Sequence, residues 1–231
     1  MARQSVPLLY QDQYLVVVDK PAAMAVHRGW AQDGPFALQV VRDQIGRRVF
    51  PAHRLDRATS GVLIFALDPG TAATLGAAFA EGKVRKEYLA LVRGKPPESQ
   101  LIDHPLRMDT GSERVPAQTQ VVCLAVSSQD RCALVLALPL TGRLHQVRRH
   151  LKHISHPIVG DVRYGKGDIN RHFRARWGVM RLALHACRVT LNHPATREPL
   201  VIEAAVPPDL ADPLEALGLG SGRVARGPAL E

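Results

Sequence analysis

The chain has 231 residues, 46% of them hydrophobic, which is enough for one large core or two closely joined lobes. No segment has the length of an apolar membrane span, and residues 1–5 include no apolar stretch of signal-peptide length. Three widely spaced cysteines, Cys123, Cys132 and Cys187, offer neither a disulfide framework nor a Cys-x-x-Cys site. We therefore expect a reduced, cytoplasmic protein without a membrane anchor.

The formal net charge is +9, and 24 of the 30 basic residues are arginine. Arginine binds phosphate bidentately and stacks on bases, so this excess favours a nucleic-acid partner. The base content of the genome would account for the use of arginine in place of lysine, but it would not account for the net charge. The charge therefore favours an anionic polymer as partner.

Hydrophobic patterns along the chain predict many short strands with few helices. Strands are predicted at residues 8–10, 14–18, 61–67, 88–92, 118–126, 132–138, 182–191 and 200–206. Helices are predicted at 36–45, ending at Gly46, at 71–79, ending at Gly82, at 144–154 and at 210–217. Residues 95–116 predict an excursion from the sheet, 158–179 predict a basic loop, and 218–231 predict a disordered tail. The order implies an α+β protein on a mixed, mainly antiparallel β-sheet.

The segment His53-Arg54-Leu55-Asp56-Arg57 lies in a polar loop just before the apolar strand at 61–67. Its single carboxylate, Asp56, has an arginine close on either side, and cationic neighbours favour an ionised carboxylate. An ionised carboxylate at the edge of a strand is a candidate nucleophile. The residues Asp, Thr, Ser and Gly would equally well form a turn that starts the strand. Spacing alone leaves both interpretations open.

Three blocks, in the same order, resemble the signature segments of the RluA-type pseudouridine synthases. They are His-Arg-Leu-Asp at 53–56 with Thr-Ser-Gly at 59–61, Lys-Glu-Tyr-Leu at 86–89, and Thr-Gly-Arg-Leu-His-Gln-Val-Arg at 141–148. Weaker similarity extends from about Val6 to Val206. The resemblance implies isomerisation of a uridine in RNA, with no cofactor. It also implies a catalytic domain over residues 6–217 without an N-terminal S4-type RNA-binding domain.

The resemblance implies roles for individual residues. Asp56 matches the essential aspartate, which would attack the sugar C1′, attack C6 of the base, or remove the 2′ proton; the sequence does not choose among these routes. Arg143 matches the arginine that pairs with this carboxylate, and Tyr88 matches the tyrosine that packs on the target base. Arg54 matches an arginine that fills the space of the flipped uridine. Leu184 falls at an apolar wall of the base pocket, although a core leucine is an equally good interpretation.

A broad basic face is predicted on the helix at 144–154. Its residues, and Arg57 beside the aspartate, are expected to bind RNA. The residues of that face are His145, Arg148, Arg149 and Lys152, and the basic loop adds Arg163, Arg171, Arg174 and Arg176. His145, His150, His153 and His156 are close in sequence, but with no nearby cysteine and no metal in the family we expect no zinc site.

The finer resemblance is to members of the family that modify uridine 65 of tRNA. It is carried by His27-Arg28, by residues 41–46 and by Asn170-Arg171, among other segments. The partner is therefore expected to be tRNA, bound by a monomer. The same reaction on ribosomal RNA is an alternative, and a non-catalytic RNA-binding protein is another. Retention of Asp56, Tyr88 and Arg143 together argues against the latter.

Overall fold

The computed structural model describes residues 4–28, 34–108 and 111–220. The strands are β1 (Leu8–Gln11), β2 (Leu15–Lys20), β3 (Phe50–Pro51), β4 (Ser60–Ala66), β5 (Arg85–Arg93), β6 (Ser99–Asp103), β7 (Leu106–Arg107), β8 (Arg114–Val115), β9 (Gln118–Val126), β10 (Cys132–Pro139), β11 (Leu184–Asn192) and β12 (Pro199–Glu203). The helices are α1 (Ala37–Ile45), α2 (Pro69–Ala80), α3 (Gln146–His153), α4 (Gly167–Trp177) and α5 (Pro208–Ala216).

The chain divides into two compact units. Unit 1 comprises Met1–Lys86 and Ala186–Ala205, and unit 2 comprises Glu87–His185 and Val206–Glu231. Both are built on β-strands with helices added, and the predicted α+β class with a mainly antiparallel sheet is confirmed. No helix within the described ranges is long and apolar enough to cross a membrane.

Unit 1 contains the sheet order β1-β2-β4-β11, to which β11 contributes from Ala186 onward, with β12 beside β11 and β3 beside β4. β2 and β4 pair antiparallel from Leu15 opposite Ala66 to Lys20 opposite Gly61. Every residue of β4 is buried, so its apolar run is covered on both faces. In the core of unit 1, Leu75 of α2 packs against these strands. The other buried members of this core are Leu15, Val17, Val62, Ile64, Ala66, Val84, Val189, Leu191, Ile202 and Ala204.

Unit 2 contains the antiparallel order β5-β10-β9-β6. β10 is buried along its whole length, as β4 is in unit 1. Close to its C-terminal end, α5 is fixed to this unit, because the buried Ser127 hydroxyl donates a hydrogen bond of 2.7 Å to the Leu217 carbonyl. Residues 221–231, most of the tail that the sequence predicts to be disordered, lie outside the described part of the chain.

Most predicted elements are confirmed with shifts of one to three residues at their ends, but two segments differ. Within residues 95–116, the predicted excursion from the sheet is wrong for β6, which pairs with β9 and continues the sheet, whereas β7 and β8 do leave it and form a separate two-stranded sheet. Residues 158–179 are not mostly loop, because they contain α4. β6 and α4 each bury a single side chain, Ile102 and Phe173 respectively. The hydrophobic pattern that identifies a strand or a helix is therefore weak in these two elements.

Candidate active site

Asp56 lies in a turn that immediately precedes β4 in unit 1. The Thr59 amide donates a hydrogen bond of 3.0 Å to the Asp56 carbonyl, which closes the turn. Leu55, the residue before Asp56, is buried and anchors the turn in the protein. Asp56 is half-buried, whereas Arg54 and Arg57 are exposed. The turn therefore presents a carboxylate between two cationic side chains, with its backbone fixed on both sides.

A buried lysine holds this turn from within unit 1. The Lys20 side chain is completely buried, and its ammonium group donates to the carbonyls of Pro21 at 2.8 Å, Met24 at 2.8 Å and Arg57 at 3.4 Å. Arg57 adds a second link, because its Nε donates to the Ala23 carbonyl at 3.0 Å. An ammonium group can be buried when its donors are satisfied. Lys20 thus ties the Pro21–Met24 segment to the Asp56 turn.

His53 connects the start of the same loop to the middle of β4. The Ile64 amide donates to His53 Nε2 at 3.1 Å, and the imidazole stacks on Phe79 of α2 with 4.7 Å between ring centroids. Burial of the ring, with the nearby charge of Lys86, lowers the pKa of His53 to about 4. A neutral imidazole is the form that accepts this hydrogen bond, so the loop is built around an uncharged His53.

Gly61 is required by the close approach of β4 and β11. Its φ is +112°, and a Cβ at this position would lie 2.1 Å from the Ala186 carbonyl oxygen. Any other residue would therefore force the two strands apart. Gly61 therefore shapes the backbone at the start of β4.

In unit 2, the turn that carries Arg143 is held by Gln146, the first residue of α3. Gln146 is buried, and its Oε1 accepts hydrogen bonds from the Thr141 hydroxyl at 2.7 Å and the Arg143 amide at 2.9 Å. Its Nε2 donates to the Gln118 carbonyl at 2.8 Å and the Thr119 hydroxyl oxygen at 3.0 Å. One amide therefore fixes the Arg143 turn to the edge of β9.

Arg143 itself is exposed, and its Nε donates to the Pro116 carbonyl at 3.1 Å. The remaining guanidinium nitrogens of this side chain are available at the surface, in keeping with a role toward an anionic group.

Arg148 was predicted to lie on an exposed basic face, and this prediction is wrong. The side chain is 9% exposed and forms a bidentate ion pair with Asp161, with distances of 2.8 Å and 2.9 Å. Burial opposes the charge of Asp161, but hydrogen bonds from Arg148 and from the Tyr164 and Arg163 amides hold the pKa of this carboxyl below its usual range. Arg148 is therefore a structural residue that fixes the 161–164 segment to α3.

The same segment reaches back to His145. The Tyr164 ring lies beneath Arg148, with 5.1 Å from the guanidinium carbon to the ring centroid, and its hydroxyl is 3.0 Å from His145 Nδ1. His145 has a left-handed backbone with φ of 52°, so a tight turn leads from the Arg143 loop into α3. Tyr164 thereby supports the predicted RNA-binding residue His145, and Asp161 holds Tyr164 by accepting a hydrogen bond from its amide at 3.0 Å.

The remaining predicted residues occupy unit 2 as follows. Tyr88 is half-buried on β5, where it lies opposite Ala137 of β10. Leu184 is buried at the start of β11. On α3, Arg149 is half-buried and Lys152 is exposed. Within the described ranges, no group of three His, Cys, Asp or Glu side chains is placed to hold a metal ion.

In unit 2, three supporting residues are not among those predicted from the sequence: Gln146, Asp161 and Tyr164. Gln146 carries a usable signal, because it and His150 are four residues apart beside Val147 and Leu151, a spacing that indicates one buried helix face. Asp161 and Tyr164 carry no such signal, because their partners are 13 and 19 residues away along the chain.

A solved structure with this fold is human RNA pseudouridylate synthase domain containing 4, with a TM-score of 0.74 and 27% identity over 92% of this chain and 93% of that one. The family model for RNA pseudouridylate synthase matches residues 14–153, which include the Asp56 turn, β5 and α3. The fold and these segments define an enzyme that isomerises uridine in RNA.

Curated relatives are similar in sequence to this chain over most of their length. tRNA pseudouridine synthase C of Vibrio cholerae is 42% identical over 220 residues, which is 86% of this chain and 90% of the relative. Its counterpart in Pasteurella multocida is 43% identical over the same shares of both chains. The chain belongs to the RNA pseudouridylate synthase family.

Proposed function

We propose that this enzyme converts uridine 65 of tRNA to pseudouridine, with Asp56 as the catalytic carboxylate. The curated relatives that are more than 40% identical are tRNA pseudouridine synthases by name. The observation that carries the catalytic assignment is the Asp56 turn, in which Lys20, His53 and Leu55 immobilise the backbone around one carboxylate. A catalytic group must be held in place in this way to meet a reacting atom.

The reaction is an isomerisation, in which the N1–C1′ bond of uridine breaks and a C5–C1′ bond forms. C5 loses one proton and N1 gains one, so atoms and electrons balance without a redox partner. Asp56 acts on the sugar or on the base, as a nucleophile or a base. Arg143 pairs with the Asp56 carboxylate, and Tyr88 provides an aromatic surface on which the extruded base packs. Arg54 fills the space that the uridine leaves, and Leu184 borders the base.

RNA is held by cationic side chains at the surface. Arg57, His145, Arg149 and Lys152 are assigned to backbone phosphates or sugars, because phosphate contacts fix the position of RNA on a protein. Exposed basic residues on α4 and in the segment before it add to this surface: Arg163, Arg171, Arg174 and Arg176. Arg148 is removed from this set because it is buried with Asp161.

Residues 6–217 together constitute the catalytic domain in this proposal. The domain acts as a monomer in the cytoplasm, where tRNA is modified, and uses no cofactor. A monomer is proposed because one chain carries the complete set of family blocks, at 53–61, 86–94 and 141–151.

Site mapping of pseudouridine in tRNA and ribosomal RNA, from cells with and without this gene, tests the proposal. Loss of pseudouridine at position 65 of tRNA, restored by the wild-type gene and not by Asp56→Asn, is the expected result. A loss confined to ribosomal RNA would overturn the substrate and keep the reaction. No loss in either RNA would overturn both.

A further inference from the structure

Two histidines stack at the point where the β7–β8 hairpin meets α3 in unit 2. His104, just before β7, lies parallel to His153 at the end of α3, with 3.7 Å between ring centroids and 15° between planes. The backbone of the hairpin is joined to α3 as well. Arg149 donates to the Arg107 carbonyl at 3.0 Å, and His150 Nε2 donates to the His104 carbonyl at 3.0 Å.

Cationic groups converge on this stack from both elements. Arg114 of β8 donates to His104 Nε2 at 3.4 Å, and Arg149 approaches from α3. Arg114 and His153 are exposed and Arg149 is half-buried. No carboxylate in the described part of the chain pairs with any of these three residues.

The helix dipole accounts for only part of this arrangement. Cations are favourable in the last turn of a helix, which suits His153 and the neighbouring Lys152 on α3. Arg114 comes from a different element, however, and its guanidinium adds a like charge to the same place. Like charges repel, so a cluster of this kind is most stable when an anion binds between them.

The lowered pKa of His104 is consistent with the same positive potential. Burial, and then the charges of His153, Arg114 and Arg149, lower the pKa of His104. Because a guanidinium only donates, the contact with Arg114 also requires an unprotonated Nε2. The free protein therefore holds His104 neutral beside strong cations.

We propose that Arg114, His104, Arg149 and His153 form a binding site for a backbone phosphate of the RNA substrate, here named the hairpin–helix phosphate site. The proposal rests on the proposed function, since it concerns the same RNA. The position supports it, because β8 continues into Pro116, whose carbonyl accepts the hydrogen bond from Arg143. A phosphate at this site would hold RNA beside the loop of the catalytic arginine.

An anion here would also favour protonation of His104, so binding would take up a proton. RNA affinity should therefore increase as the pH is lowered. The charged groups that face the histidines are Arg114 from β8 and Arg149 from α3, with buried His150 behind them.

The test measures the salt dependence of tRNA binding in the Asp56→Asn background, so that turnover does not intervene. Arg114→Gln should weaken binding about fivefold or more and reduce the slope of log Kd against log salt by about one. The matched control is Arg197→Gln. Arg197 is also exposed, but it lies in the turn between β11 and β12, which is assigned no part in RNA binding. Equal effects of the two variants would overturn the site in favour of a general charge effect.

A second measurement uses pH. The wild-type site should bind tRNA more tightly at low pH, and His104→Gln should remove most of that dependence while the variant remains folded by circular dichroism. An unchanged pH dependence in His104→Gln would overturn the proposal. Failure of the proposed function would appear elsewhere, as pseudouridine that persists in the cells without the gene.

Discussion

At the scale of single residues, the chemistry is assigned to one carboxylate. The Asp56 turn is supported by groups to which the proposal gives no part in the reaction: a buried ammonium, a neutral imidazole and a glycine at positive φ. Such supports place a reactive group without changing its chemistry. Replacing the carboxylate alone is thus a clean test of its role.

Asp56→Asn should reduce pseudouridine formation by at least about a thousandfold, because an amide neither attacks carbon nor accepts a proton effectively. tRNA binding should stay within about twofold of the wild type, since the phosphate contacts are unchanged. Single-turnover assays and equilibrium binding provide the two measurements. Asp43→Asn, which alters an exposed carboxylate paired with Arg42 on α1, is the control and should keep full turnover. Robust turnover by Asp56→Asn would refute the assignment.

At the scale of elements, two of the three buried polar residues of α3, Gln146 and Arg148, have different roles. Gln146 fixes the turn that precedes the helix, and Arg148 fixes the segment that follows it. The helix therefore positions the Arg143 turn through hydrogen bonds more than through apolar packing.

Gln146→Met should lower kcat about tenfold or more, because the Arg143 turn loses the acceptor for its backbone amide. The Kd for tRNA should change by less than about twofold. A purely structural role would lower stability without changing kcat. The control is Gln44→Met, which removes the two hydrogen bonds between Gln44 and Val6 in unit 1 and should leave kcat unchanged. Equal kcat for both variants would contradict a positioning role.

The ion pair between Arg148 and Asp161 gives a prediction about stability. Arg148→Met leaves a buried carboxylate without its partner and should reduce the free energy of unfolding by about 3–5 kcal/mol. The double variant Arg148→Met/Asp161→Asn should be less destabilised than the sum of the two single variants. Urea denaturation of the four proteins completes the cycle. An additive result would show that the two side chains do not stabilise each other.

The same elements show what the sequence could and could not predict. β4 and β10 are buried throughout, so their apolar runs are unambiguous, and α1 ends at Gly46, whose φ is +68°. α4 buries Phe173 as its single fully covered side chain, and its basic residues resemble a loop. The Asp56 and Arg143 segments were found through motifs. The burial of Arg148 was not, because its partner depends on tertiary structure.

At the scale of the whole molecule, histidines link stability to pH. The pKa values of His53, His104 and His150 are all lowered, in each case mainly by burial. Folding therefore requires that these rings release protons that the unfolded chain would hold. Carboxylates such as Asp161 have lowered pKa values and affect stability only at more acidic pH.

His53 should dominate this effect. The unfolded residue takes up a proton near pH 6.5, whereas the folded ring does so near pH 4, so the unfolded chain binds more protons between these values. The free energy of unfolding should thus fall as the pH is lowered through this window, by up to about 3 kcal/mol. His53→Gln keeps an acceptor for the Ile64 amide and should flatten the profile measured by urea denaturation. An unaltered profile would show that His53 is not the linked group.

The burial of Lys20 has a consequence for chemical labelling. Its amine is enclosed by three carbonyls, whereas Lys83, Lys95, Lys152 and Lys166 are exposed. Acylating reagents need an accessible, unprotonated amine, so they modify Lys20 only when the surrounding segments separate. The rate of Lys20 acylation, measured by mass spectrometry, therefore reports the rate at which the loop that carries Asp56 opens.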